Sequence, residues 1–135
     1  MSTPKSERSQ KKFVTIRKAY EFASFTHKIC SNEDVFLKRN RWCSTYKIVE
    51  TVDDIAIYCE QANETDIKNK EEVALRLKYI EKAIRLTIKA ETLMEIAYRD
   101  NNREKQNLTD EKFENWIGLL LEIRNLLFTW KKVKY

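Results

Sequence analysis

Glycine and proline are nearly missing from this chain, with one of each in 135 residues. Tight β-hairpins, glycine-rich phosphate loops and proline-rich linkers therefore lack the residues they need. No run of about 18 apolar residues occurs, so no membrane-spanning segment is expected, and the opening MSTPKSERSQKKF has no apolar stretch of the signal-peptide kind. A cytoplasmic protein is expected. There is one histidine, and the three cysteines, Cys30, Cys43 and Cys59, form no C-x-x-C pair. They are read as reduced, mostly buried thiols, and the sequons at Asn63 and Asn107 then carry no glycosylation meaning.

What is present is helical pattern. One domain of 16.2 kDa, 42% apolar and 35% charged with a net charge of +5, can bury a single modest core. Apolar residues recur at 3–4 spacing at Phe13, Ile16, Tyr20, Ala23, His27 and Cys30, and the pattern stops at the polar turn Ser31 to Asp34. It restarts as Trp42, Thr45, Val49, Val52, Ala56 and Cys59. A third stripe runs through Val73, Leu77, Ile80, Ile84, Thr87 and Met94, with Ala83, Ala90 and Ala97 beside it. The fourth is Phe113, Trp116, Leu120, Ile123, Leu127 and Trp130. Thr109 is expected to cap this last helix, with Asp110 and Glu111 at the positive end of its dipole and Leu108 and Phe113 as a hydrophobic staple. Four helices of similar length with short connections predict an all-α, up-down-up-down antiparallel four-helix bundle over residues 11–132, after a disordered segment 1–10 and before a short basic tail 133–135. Gly118, mid-helix, points away from the seam.

Catalytic constellations fail by subtraction. A carboxylate-bridged di-iron centre needs two Glu-x-x-His pairs, and His27 stands alone. It is read as a buried, hydrogen-bonded side chain. No Walker loop, G-x-S-x-G or G-x-G-x-x-G exists. Zinc would need His27, Cys30, Cys43 and Cys59 to converge, which the offset of Cys43 from its helical stripe opposes. Asp53-Asp54 and Glu71-Glu72 are read as solvated carboxylates. No enzyme activity, cofactor or metal is expected.

Charge is more informative. Residues 1–50 hold 11 bases against 5 acids, whereas residues 51–135 are almost balanced. Lys11, Lys12, Arg17 and Lys18 fall on an exposed strip of the first helix, and Lys38, Arg39 and Arg41 cluster ahead of the second. Such groups suit phosphates. Tyr20, Tyr46, Tyr58, Tyr79 and Trp116 are read as core or interface aromatics. Phe22, Ile48, Ile55 and Leu119 widen the apolar arcs beyond what one core needs, which predicts self-association.

The segments Lys18-Ala19-Tyr20-Glu21-Phe22, Phe36-Leu37-Lys38-Arg39-Asn40-Arg41-Trp42 and Glu60-Gln61-Ala62-Asn63, followed by Trp116 and Trp130-Lys131-Lys132, resemble in order and spacing the accessory variability determinant (Avd) proteins of diversity-generating retroelements. The likeness covers about residues 11–132. The chain departs from the family pattern at Leu37, where proline is frequent, and at Phe128-Thr129-Trp130, where the family often has Gly-Gly-Trp. Bundle proteins of ribosomal RNA intervening sequences share the architecture. The resemblance implies a non-catalytic partner that forms a five-membered ring and binds the retroelement's reverse transcriptase and template RNA or RNA/DNA hybrid. It makes mutagenic copying possible. On that implication Lys11, Lys12, Arg17, Lys18, Lys38, Arg39 and Arg41 are the residues expected to contact RNA or the polymerase.

Overall fold

The computed structural model describes the backbone of residues 3–37, 45–104 and 107–135, with side chains from Val14 onward within those ranges. The chain forms a four-helix bundle, α1 (Thr3–Ser31), α2 (Tyr46–Asn63), α3 (Lys70–Arg103) and α4 (Asp110–Lys131), with no strand among the described residues. The helices are unequal, at 29, 18, 34 and 22 residues, rather than of similar length. Among the described residues no helix is long and apolar enough to cross a membrane.

α1 begins ahead of its apolar stripe, so residues 3–10, expected from composition to lie outside the fold, are helical in backbone. Pro4 sits in the first turn, where its missing N–H was not needed. The start of α3 is set by Asn69, whose side chain accepts from the amides of Glu71 and Glu72, while those two acids favour the positive helix end. Thr109 caps α4 as expected, accepting from Lys112 N at 3.2 Å. Leu108 and Phe113 on either side of the cap are both buried.

Each helix packs on two others. α1 touches α2 and α4, and α3 touches the same two, so α1 and α3 occupy opposite corners. Between α1 and α2, Tyr20 meets Glu60 and His27 meets Asp53. On α3 and α4, Tyr98 stacks on Phe113, Arg124 reaches Thr87, and Lys131 faces Glu81. Trp116 is the centre of the core, fully buried, with its Nε1 donating to Thr26 Oγ1 at 3.0 Å and Phe36 edge-on to its ring at 6.2 Å.

Two polar side chains, Arg76 and Asn101, are buried where the periodic reading has no place for them. Arg76 donates to Ala62 O, Asn63 O and both oxygens of Thr65, and its guanidinium lies over the rings of Trp130 and Tyr135. Tyr135, in the expected basic tail, packs back: its hydroxyl accepts from Arg76 Nη1 and Trp130 Nε1, each at 3.1 Å. Asn101 donates to Val35 O at 2.7 Å and accepts from Leu108 N at 2.8 Å, joining two connections at one end of the bundle. Thr87, also buried, accepts from Arg124 Nε.

Two expectations need correction. Phe22, Ile48 and Ile55 are not surplus apolar surface; they are within 1% of complete burial and belong to the core, because the buried faces of α1 and α2 are wider than the 3–4 stripe and include these flanking positions. The exposed apolar side chains are instead Tyr46, Ile57, Ile88, Ile96 and Phe128, among others. His27 is hydrogen-bonded but half-exposed, since Ala23, Thr26 and Cys30 take the buried face of α1 and leave it at the edge toward α2.

Candidate nucleic-acid interface

The seven candidate bases fall into three groups. Lys38, Arg39 and Arg41 lie outside the described residues, together with Trp42 and Cys43. Lys11 and Lys12 are on the α1 backbone, with side chains outside the described set. Arg17 and Lys18 can be placed.

Arg17 is exposed, with Nε 3.8 Å from Glu21 one turn along the helix. Lys18 is more enclosed: its Nζ stands 3.6 Å from Glu21 and 3.5 Å from Glu122 of α4, so it bridges two helices. Both cations therefore already have carboxylate neighbours. Pairs of this kind are worth about 1 kcal/mol or less and exchange readily, so an incoming phosphate can take the place of Glu21.

Across the α1–α2 groove two further contacts sit seven residues apart on each helix. The Tyr20 hydroxyl donates to Glu60, and that hydrogen bond, with desolvation and the Glu60 charge, raises its pKa above the ordinary tyrosine value. His27 Nε2 lies 2.6 Å from Asp53 Oδ1. These side chains, with Ala23 and Ile57, line a shallow groove of about 530 Å³. Asp53 is thus a partner of His27 rather than a bare solvated carboxylate. Cys30 and Cys59 are free and buried, and burial pushes each thiol up to about 12. Among the described residues no three His, Cys, Asp or Glu side chains are grouped to hold a metal ion.

The halves-of-the-chain charge count hides a second basic surface. Lys78, Lys82, Arg85 and Lys89 are all exposed on α3, at spacings of four, three and four residues, and so form one row. Their acidic chain neighbours cancel them in a sum, although two of these, Glu81 and Glu91, pair with Lys131 and Arg124 of α4. Helical spacing of bases alone, rather than net charge, would have found them.

No family model, curated protein or solved structure matches this chain.

Proposed function

We propose that this chain is a non-catalytic accessory protein of a diversity-generating retroelement, binding the element's reverse transcriptase and template RNA through a basic surface and supporting mutagenic cDNA synthesis. The carrying observation is the ordered likeness of residues 18–22, 36–42, 60–63, 116 and 130–132 to the Avd proteins. Phe36 and Trp116, both within it, meet in the core of a four-helix bundle. The up-down-up-down order is supported by the contacts: as residue numbers rise from Tyr20 to His27 on α1 they fall from Glu60 to Asp53 on α2, and Thr87 and Tyr98 pair with Arg124 and Phe113 in the same inverse sense. Five copies assemble as a ring in the cytoplasm, and Lys11, Lys12, Arg17, Lys18, Lys38, Arg39 and Arg41 position RNA or the polymerase electrostatically.

The test is a solution mass followed by co-purification with the reverse transcriptase of the same element. Five chains of 16.2 kDa give about 81 kDa. A particle of that mass that retains the polymerase, and loses it when Arg17, Lys18, Arg39 and Arg41 are reversed to Glu, supports the reading. A monomer or dimer that ignores the polymerase overturns it, leaving a purely structural bundle of the ribosomal intervening-sequence type.

A further inference from the structure

We infer that α3 carries a second polyanion-binding surface, a row formed by Lys78, Lys82, Arg85 and Lys89 that takes the phosphodiester backbone of a single-stranded nucleic acid. At 1.5 Å of rise per residue the four bases follow one another every 5–6 Å or so, and Thr92, Ile96 and Arg99 continue the row to about 30 Å, with Asp100 beside its end. All seven positions are exposed.

Two acids of α3 that neighbour the row in sequence pair with α4. Glu81 faces Lys131 of α4 at 3.5 Å, and Glu91 is held by Arg124 of α4 at 2.7 Å. Among the described residues no carboxylate lies within ion-pair distance of Lys78, Lys82, Arg85 or Lys89; the one close contact is Lys82 Nζ, 5.3 Å above the Tyr58 ring. This differs from α1, where Arg17 and Lys18 both have acidic neighbours. Because α3 is at the opposite corner of the bundle from α1, the row is not an extension of the α1 strip.

A nucleic-acid backbone suits this row better than an acidic protein. A protein interface needs a desolvated apolar centre. Here the row offers Ile96, with Ile88 exposed beside it, while the flanking Leu86 and Leu93 are already packed on the core. Phosphates, by contrast, need only regularly placed cations, and their binding is driven by counterion release. The inference goes beyond the proposed function, none of whose seven bases is on α3, since it places RNA binding by the isolated protein on α3 whatever becomes of the polymerase.

The experiment measures anisotropy of a fluorescent oligouridylate titrated with the full-length protein over a series of salt concentrations. The variant Lys78→Gln, Lys82→Gln, Arg85→Gln, Lys89→Gln is compared with a control that loses equal charge elsewhere, Lys68→Gln, Lys70→Gln, Lys132→Gln, Lys134→Gln. The row variant is expected to bind at least about tenfold more weakly and to lose about three units of the log–log salt slope, while the control keeps most of both. Equal losses in the two variants, an unchanged row variant, or no saturable binding by the wild type overturns the proposal. Should the quadruple variant lose helicity, the four single substitutions carry the test, each removing about 0.7 of the slope. Retention of the polymerase by the row variant, scored separately, distinguishes failure of this surface from failure of the proposed function.

Discussion

Arg76 on α3 caps a helix to which it does not belong: its Nε donates to the carbonyl oxygen of Ala62, 2.9 Å away in the last turn of α2. That turn contains no basic residue of its own, and its exposed carbonyls are the negative end of the α2 dipole. The guanidinium supplies the missing donors from α3 and is 98% shielded from solvent, with Trp130 and Tyr135 covering it. The partial charges of a helix end and two aromatic faces thus take the place of a carboxylate. Replacing Arg76 by Met keeps volume but removes the guanidinium donors to Asn63 O and Thr65 O, Ala62 O retaining the Thr65 hydroxyl, so a loss of about 2–3 kcal/mol is expected in urea unfolding. Arg76→Lys should recover only part of it, since an ammonium cannot match the fork. A Met variant as stable as the wild type would refute the cap.

Trp116 and Thr26 form the second long-range polar contact in the core. In Thr26→Val the shape is preserved while the indole N–H loses its acceptor, at a cost of about 1–3 kcal/mol. Adding Trp116→Phe to that variant should cost less than the same change in the wild type, by about 1 kcal/mol of coupling. Strictly additive losses in a double-mutant cycle would show the 3.0 Å contact to be energetically idle.

The thiols of Cys30 and Cys59 make stability fall in alkali. Both are raised by burial from 9.0 to about 12. Below pH 9 the two states bind the same protons and the contribution is intact; between 9 and 12 the unfolded thiols ionise while the folded ones do not, so unfolding is favoured progressively. The slope is at most about 1.4 kcal/mol per pH unit for each thiol. Iodoacetamide mapping by mass spectrometry at mildly alkaline pH should leave both cysteines unmodified in the native protein and label both in concentrated urea. Fast labelling without denaturant would contradict the burial.

Gly118 offers a test that joins stability to assembly. A methyl group placed there meets nothing within 4 Å in a single chain. Gly118→Ala should therefore raise stability by about 0.5–1 kcal/mol, read as a higher Tm. If the open side of α4 is where a second copy approaches closely, the same change lowers the particle mass in light scattering; an unchanged mass with a raised Tm places the contact elsewhere.

Local signals in the sequence translated directly into structure. α4 has its cap at Thr109, and each of Phe113, Trp116, Leu120, Ile123, Leu127 and Trp130 is buried as its spacing implied. There the apolar residues alone define the buried face. α3 shows the limit of that rule, for Val73 and Leu77 are only half-buried at its start while Arg76 goes inside. An arginine counts as exterior in any periodic reading, and its acceptors lie 11 to 14 residues away in the chain, with Tyr135 farther still. His27 failed in the opposite sense. Its ring completes an apolar count, but burial of Thr26 beneath Trp116 rotates it to the rim. The α3 basic row was missed because averaging charge over half the chain discards the angle at which each charge leaves its helix.

Asn101 ties the end of the chain that leaves α1 to the residue that leads into α4. Its amide holds Val35 by the carbonyl, 66 positions back in the chain, just before Phe36 docks on Trp116. Val35 and Phe36 are the root from which the chain departs toward Lys38, Arg39 and Arg41, and the same Asn101 side chain grips the amide of Leu108 ahead of α4. Exchange of the Leu108 amide with deuterium should consequently report on strain applied to that root. One uncharged side chain near the end of α3 thus serves as the anchorage for both connections.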